Sequence, residues 1–353
     1  MAAYGIVIVL TVAVYLFAMG MKYDKRHIDK MTVTFFFLAY LFLLCSRDVS
    51  IGVDTKHYVT TFDMLSQADW KAAFVLGNGE VGFVVLEKLI SFLGGSRLFI
   101  SVVAIITVLP VLYLYKNEAE GSMICISFFL ISLLFEMFFS GMRQGIAIGL
   151  AVPAYYMAKR KKIIPFILMV ILAISFHKSA ILIALIYPIY RVKITKKQLW
   201  LVVPLFIAVM IYRNQLLNII FQIAGEDYSY RYSYLTGSSG QVGLMILFSL
   251  IAIYSYVMLD ENRAGEEEIG LRNILLLAAF IHLFTPLNPT ISRINYYFIL
   301  FIPVAISRIN NRCNKMFYQT RTLATIVMPV FFTTYFFLMK SDSLNVFNYQ
   351  FCF

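Results

Sequence analysis

Three arginines stand at the ends of apolar segments in this chain, namely Arg47, Arg143 and Arg293. A guanidinium group presents several N–H donors in a planar fork and binds pairs of phosphate or carboxylate oxygens. A single arginine at a helix end commonly extends to lipid phosphate, so none of the three is decisive alone. Their recurrence at one predicted depth favours a cationic pocket for a diphosphate or another anionic group.

Further polar groups accompany these arginines. Asp54 and Tyr58 follow Arg47 in a long loop, and His177 interrupts the apolar stretch 163–190. An ionisable residue at a break between apolar half-helices favours a catalytic or ligand-contacting role, with a buried structural histidine as the open alternative. No paired-cysteine ligands, HExxH or glycine-rich phosphate loop occurs, so the sequence predicts neither a metal nor a cofactor.

The composition identifies the elements that must position these side chains. The chain has 353 residues, of which 61% are hydrophobic and 14% charged, and its mean hydropathy is +0.79. Soluble domains are about 45–50% apolar and about 25% charged. Long apolar runs recur throughout, which excludes a soluble core with one anchor, a β-barrel and a disulfide-stapled scaffold. The net charge of +11 then indicates orientation or lipid contact rather than a nucleic-acid partner.

The apolar segments predict an all-α polytopic membrane bundle of about twelve transmembrane helices, in a single domain over 1–353. A retained first span places the N-terminus outside, and an even number of crossings places the C-terminus there as well. The predicted cytoplasmic loops then hold 19 of the 30 Lys and Arg residues, as the positive-inside rule requires. The segments cover residues 4–21, 31–46, 97–115, 121–139, 141–158, 163–176, 178–190, 198–223, 242–259, 271–287, 291–307 and 322–339.

Some segments depart from this simple pattern. Residues 163–190 carry basic clusters at both ends, so we expect a helical hairpin with its apex at His177. Residues 81–93 are short and amphipathic, which predicts an interfacial helix within an outer loop over 47–96. The outer loop 225–240 has four alternating tyrosines, which suit either a sugar or the membrane interface.

A stripe of small residues adjoins Arg143. Gly141, Gly145 and Gly149 repeat every four residues, a spacing that allows a neighbouring helix to approach closely. A helix packed in this way would hold Arg143 in a fixed direction. The alternative is that the glycines serve packing alone, and both interpretations can be true.

Four short motifs, taken in order, resemble those of the EpsG family of Wzy-type polysaccharide polymerases. Residues 47–58 resemble its outer loop, in which an arginine precedes Gly-x-Asp-x-x-x-Tyr. Residues 142–147 resemble its Arg-Gln-x-x-Ala helix start, and residues 172–182 its Phe-His-x-Ser-Ala hairpin. Residues 292–303 resemble its late Arg-x-x-x-Tyr-Phe helix. The order and spacing of these matches, from about residue 40 to 305, carry the specificity.

The resemblance implies a membrane glycosyltransferase at the outer face of the bacterial cytoplasmic membrane. It would join oligosaccharide repeats carried on undecaprenyl diphosphate, and it would need neither metal nor cofactor. A diphosphate leaving group needs positive charge, and an acceptor hydroxyl needs a base, for which His177 is favoured over Asp54. The implied catalytic residues are His177, Arg143 and Asp54. The implied residues for binding the diphosphate or sugar are Arg47, Arg293, Tyr58, Gln144 and Tyr297.

The resemblance also implies partners, and the residues themselves leave functions of other classes open. Membrane lipids and a chain-length regulator protein are expected partners, and the product is O-antigen, capsule or exopolysaccharide. A lipid-linked oligosaccharide flippase would share the spans and outer arginines. An O-antigen ligase would transfer finished chains without lengthening them, and a membrane O-acyltransferase would use an intramembrane histidine. The lipid-linked material that accumulates when the gene is removed distinguishes a flippase from a polymerase.

Overall fold

A computed structural model describes residues 1–77, 80–224, 239–288, 291–338 and 342–352, and these are largely helical. They form seventeen α-helices and three short 3₁₀ segments, with only isolated bridges in place of a β-sheet. The first ten helices are α1 (Ala2–Gly20), α2 (Lys25–Ser46), α3 (Thr55–Gln67), α4 (Trp70–Leu76), α5 (Val81–Ser91), α6 (Ser96–Glu118), α7 (Ser122–Ile131), α8 (Leu134–Ser140), α9 (Met142–Lys159) and α10 (Ile163–Phe176). The remainder are α11 (Ile186–Arg191), α12 (Leu199–Ala224), α13 (Ser239–Met258), α14 (Glu266–His282), α15 (Ile291–Ile299), α16 (Ile302–Asn311) and α17 (Tyr318–Leu338). Most of the predicted tyrosine-rich loop 225–240 lies outside the described residues.

The chain is a polytopic helical membrane protein. Within the described residues, six helices are long and apolar enough to cross a membrane, namely α1, α2, α6, α12, α13 and α17. The pair α7 and α8 meets the same test together but bends by 58° at its break, as in a broken span or a re-entrant segment. The count of twelve crossings and the outer position of both termini stay predictions.

Two segments that the sequence predicted as single spans are each two helices. Residues 121–139 break at Ser132, whose hydroxyl donates to the carbonyl oxygen of Phe129 at 2.8 Å. A serine that bonds locally to the backbone competes with the helical hydrogen bonds. Residues 291–307 break just before Pro303, which lacks an N–H and disfavours a helical turn ahead of it. Neither break could be predicted from the apolar composition of the segments.

The predicted apex at His177 is a break in the helix. His177 follows the last residue of α10 and has extended backbone angles, φ −157° and ψ 121°. A 3₁₀ segment over Lys178–Leu185 comes next, and α11 begins at Ile186. The second arm is therefore not one α-helix, and the hairpin itself stays a prediction.

The chain divides into two compact units. The first contains residues Met1–Ala184 and Thr322–Phe353, and the second contains Leu185–Arg321. Most of the predicted site residues lie in the first unit, whereas Arg293 and Tyr297 lie in the second. That the two units make one domain over 1–353 stays a prediction.

In the first unit, the glycine stripe of α9 packs against α6. A Cβ atom added at Gly149 would lie 3.1 Å from the carbonyl oxygen of Ile106, and one at Gly145 would lie 3.3 Å from Thr107. At the other end of both helices, Lys159 pairs with Glu118 at 3.1 Å. The predicted close approach of the two helices is confirmed. It fixes the direction of α9, whose second residue is Arg143.

The C-terminal residues 342–352 pack on the loop that links α2 to α3. The amide of Asp48 donates to the carbonyl of Gln350 at 2.9 Å, and the amide of Gly52 donates to that of Asn345 at 3.0 Å. The hydroxyl of Tyr4 donates to the carbonyl of Val346 at 2.7 Å. This tail therefore fixes the backbone that leads into Asp54.

Replacing Gly52 with alanine is expected to destabilise the first unit by about 2–3 kcal/mol, because the new methyl group has no room. Gly52 has φ +88°, and an added Cβ would lie 2.4 Å from the carbonyl oxygen of Phe139. Thermal unfolding of the detergent-solubilised protein, followed by size-exclusion chromatography, measures the effect. The matched control is Gly20→Ala, since nothing lies within 4 Å of a Cβ added there. Equal melting temperatures for the two variants would contradict the strain at Gly52.

Candidate functional site

The predicted outer loop 47–96 is not irregular but contains three short helices, α3, α4 and α5. α3 begins at Thr55, directly after Asp54, and α5 begins at Val81, directly after Glu80. Lys88 on α5 donates to the carbonyl oxygens of Leu65 and Ala68 at 3.1 and 2.9 Å. Because a cation stabilises the carbonyl end of a helix, this contact attaches α5 to the end of α3.

A helix is present in the predicted segment 81–93, where α5 covers Val81–Ser91, but the distribution of its side chains is unexpected. Leu89 and Leu93 are exposed, whereas Glu87 and Lys88 are buried within the unit. Exposed leucines suit contact with lipid, and the buried charged residues face protein. The interfacial location of this helix stays a prediction.

Glu80 connects two of the predicted catalytic residues. His177 donates from Nδ1 to Oε1 of Glu80 at 2.9 Å, and Nη1 of Arg143 lies 2.7 Å from the other carboxylate oxygen, Oε2. The Glu80 side chain is only 7% exposed, whereas those of Arg143 and His177 are 28% and 31% exposed. A buried carboxylate thus holds two partly accessible groups, one at the start of α9 and one at the break after α10.

Tyr58 completes the surroundings of Arg143. The Nε atom of Arg143 donates to the Tyr58 hydroxyl at 3.3 Å, and its guanidinium lies over the tyrosine ring, 5.3 Å from the centroid. Such a cation–π contact adds to the hydrogen bond. The prediction that Arg143 has a fixed direction is consistent with these contacts. We call the group Tyr58, Glu80, Arg143 and His177 the Glu80 cluster.

Asp54 is not bonded to the side chains of this cluster but contacts Ser140 at the end of α8. Its carboxylate oxygen Oδ2 accepts a hydrogen bond from the Ser140 hydroxyl at 3.0 Å, and that hydroxyl accepts from the Asp54 amide at 3.2 Å. Thr55 donates to the carbonyl of Phe139 at 3.0 Å. The start of α3 is therefore attached to the end of α8, three residues before Arg143.

The carboxyl groups of Glu80, just before α5, and of Glu87, within α5, have opposite electrostatic environments. Burial raises the pKa of Glu80, but the His177 hydrogen bond and the charge of Arg143 outweigh it, so this pKa lies below its ordinary value. Burial raises the pKa of Glu87 from 4.5 to about 8, and Arg143 opposes this shift only in part. At neutral pH Glu80 is ionised and Glu87 is protonated.

Replacing Glu87 with glutamine is expected to reduce the loss of stability at alkaline pH. The folded protein retains the Glu87 proton up to about pH 8, whereas the unfolded chain releases it near its ordinary pKa of 4.5. The folded state binds more protons across this window, so wild-type stability falls as the pH rises through it. Melting temperatures at about pH 6 and pH 9 measure the effect. Asp63→Asn, at an exposed carboxyl on α3, is the control; parallel pH profiles for wild type and Glu87→Gln would refute the prediction.

Arg47 lies apart from the Glu80 cluster, in a different environment from the accessible cationic pocket that the sequence predicted. Its side chain is 1% exposed, donates from Nη1 to the carbonyl of Leu44 at 2.7 Å, and lies over the ring of Phe139. The exposed Arg97 donates to the Arg47 carbonyl at 2.5 Å. Packing and the contacts with Leu44 and Phe139 therefore explain the position of Arg47 without a ligand. A role of Arg47 in binding substrate stays a prediction.

The remaining predicted residues are placed as follows. Gln144 is buried at the start of α9, next to Arg143. In the second unit, Arg293 is exposed near the start of α15, whereas Tyr297 is fully buried in the same helix. Across the described ranges, no group of three or more His, Cys, Asp or Glu side chains is arranged to hold a metal ion.

Glu80 is the residue that the sequence reasoning missed. It is 97 residues from His177 in the chain, so no local pattern connects the two. One signal was present, because Glu80 stands directly before an apolar helix and seven residues before Glu87, two turns along the same face. An acidic pair on one face of a predicted interfacial helix requires an explanation.

The fold and this site define a class: a many-helix membrane protein with an arginine and a histidine that share one buried carboxylate. The chain belongs to the EpsG family, whose family model matches residues 4–351. This confirms the resemblance carried by the four motifs, and the match extends to the C-terminal residues as well. The chain is thus a membrane protein of the polysaccharide polymerase type. No curated protein and no solved structure matches it significantly.

Proposed function

We propose that this protein lengthens a polysaccharide at the outer face of the bacterial cytoplasmic membrane. It transfers the growing glycan from undecaprenyl diphosphate to a hydroxyl of a new lipid-linked oligosaccharide repeat. The observation that carries the proposal is the Glu80 cluster, which brings together motif residues from three separate parts of the chain. Family membership supports the polymerase class, and the cluster supports the assignment of roles.

Arg143 is the residue proposed to bind the diphosphate. Its guanidinium is partly exposed, at the start of a helix that close packing on α6 holds in place. Negative charge develops on the diphosphate as its bond to the anomeric carbon breaks, and a fixed cation stabilises that charge. Arg293 is exposed in the second unit and is a second candidate for the diphosphate or the sugar.

His177 is the proposed base for the acceptor. Its Nδ1 atom donates to Glu80, so Nε2 is the nitrogen with a free lone pair. Nε2 takes the proton of the acceptor hydroxyl as that oxygen bonds to the anomeric carbon, and undecaprenyl diphosphate leaves. Asp54 is the alternative base, although Ser140 already donates to one of its oxygens. The hydroxyl of Tyr58 accepts from Arg143 and helps to orient it.

A deletion strain and its complemented counterpart test the proposed function. Without the protein we expect surface polysaccharide of a single repeat, and complementation should restore a ladder of chain lengths on electrophoresis. Purified protein in lipid vesicles should also lengthen the lipid-linked repeat on its own, with a chain-length regulator narrowing the distribution. Repeats retained on the inner leaflet would indicate a flippase instead. Transfer of finished chains without lengthening would indicate a ligase, and dependence on an acyl donor an acyltransferase.

A further inference from the structure

The carboxylate of Glu80 joins the two groups that the proposed reaction uses for its two substrates. One oxygen accepts from His177 at 2.9 Å, and the other lies 2.7 Å from Arg143. Protein encloses this carboxylate, while both of its partners keep an accessible side. A change at one partner is therefore transmitted to the other through a single buried charge.

Arg143 retains donor capacity for an anion. Its contacts use Nε and Nη1, and Nη2 has no partner in the part of the chain that the structure describes. A diphosphate brings several negative charges to the guanidinium, and Glu80 brings one. The two anions compete for the same cation, because the contact with Glu80 occupies one edge of the guanidinium.

We infer that Glu80 is an internal competitor for the anion at Arg143 and, once that anion binds, a positioning residue for His177. This inference rests on the proposed function, because it requires a diphosphate at Arg143. When Arg143 pairs with the diphosphate, Glu80 keeps His177 as its remaining partner. The hydrogen bond to Nδ1 then directs Nε2 to the acceptor. Binding of the donor is in this way coupled to activation of the acceptor.

A purely structural role for Glu80 makes the opposite prediction. If Glu80 only holds Arg143 in place, its removal releases the guanidinium and weakens anion binding. If Glu80 competes, its removal leaves a more positive site and tightens anion binding. The sign of the change in Kd therefore distinguishes the two roles.

Farnesyl diphosphate binding to the purified full-length protein, measured by isothermal titration calorimetry, tests the competition. Glu80→Gln is expected to bind this probe about tenfold more tightly than wild type, because a charged competing interaction is lost. Arg143→Ala is expected to bind at least about tenfold more weakly for the converse reason. Glu87→Gln is the matched control, since Glu87 is buried in the helix that directly follows Glu80 and is protonated at neutral pH. It should bind like wild type.

The kinetics of chain growth supply a second readout. A glutamine accepts the His177 hydrogen bond only as a neutral group, so turnover by Glu80→Gln is expected to fall roughly tenfold. The KM for the lipid-linked donor should fall at the same time. A variant that was merely misfolded would not bind its donor more tightly while it reacted more slowly.

Each outcome has a defined meaning. Equal or weaker farnesyl diphosphate binding by Glu80→Gln, with Arg143→Ala still impaired, overturns the inference and leaves the proposed diphosphate site standing. No binding by the wild-type protein overturns both. If Glu80→Gln does not fold, Glu80→Asp replaces it, because a side chain one methylene shorter cannot reach both partners. It should tighten binding by a smaller factor, and equal or weaker binding by this variant would likewise overturn the inference.

Discussion

Replacement of Arg143 with alanine is expected to stop polysaccharide growth at one repeat while the protein still inserts in the membrane. The variant loses the fixed cation that stabilises the departing diphosphate, and removal of one such donor typically costs about 10²–10³-fold in rate. The chain-length ladder on electrophoresis measures the effect. Arg26→Ala is the control, since Arg26 is an exposed cation in the first turn of α2, outside the Glu80 cluster. It should leave the ladder unchanged.

The same change leaves Glu80 without its cation, so a loss of folding must be separated from a loss of chemistry. The double variant Arg143→Ala with Glu80→Gln removes both charges, so no buried carboxylate is left unpaired, and it is expected to insert like wild type and still to lack the ladder. Arg143→Lys keeps the charge without the planar fork and should retain partial activity. A normal ladder in Arg143→Ala would refute the role of this arginine.

Replacement of His177 with glutamine is expected to slow chain growth by about 10²-fold or more, because the acceptor hydroxyl loses its base. Binding of farnesyl diphosphate should change little, since Arg143 and Glu80 remain. Elongation of a lipid-linked repeat by purified protein measures the rate, and calorimetry measures binding. The neighbouring Lys178→Gln, at an exposed side chain, is the control and should elongate normally.

The competing assignment of the base to Asp54 is tested in the same assay. Asp54→Asn removes a carboxylate that already accepts from Ser140, so a smaller loss of rate is expected. If Asp54→Asn abolished elongation while His177→Gln elongated normally, the base would be Asp54. The inferred coupling through Glu80 would then fail as well, because it requires His177.

The helices could be predicted where a local property of the chain determines them. The predicted segments 4–21 and 163–176 correspond to α1 and α10, since a long apolar run must form its hydrogen bonds within itself in lipid. The breaks at Ser132 and before Pro303 were not predicted, because the prediction was based on apolar content. Both depend on a single hydroxyl or ring, whose effect on average hydropathy is negligible.

The candidate site likewise has features that the sequence could predict and features that it could not. Arg143, His177 and Tyr58 were found because unusual residues in an apolar chain, and short motifs around them, are visible in sequence. That they meet at Glu80 was not visible, because the connecting contacts join helices far apart in the chain. The distinction between Arg47, which is buried, and Arg143, which is accessible, also depends on neighbours contributed by distant segments.

The amino-acid sequence alone was sufficient for the membrane class, the family and three of the four residues of the Glu80 cluster, because these depend on composition, spacing and local motifs. Only the tertiary structure decided which of those residues share an environment. The charge on Glu80, the proton on Glu87 and the direction of Nε2 in His177 follow from burial and from partners on other helices. Burial and pairing are properties of packed helices, and no single segment of the chain carries them.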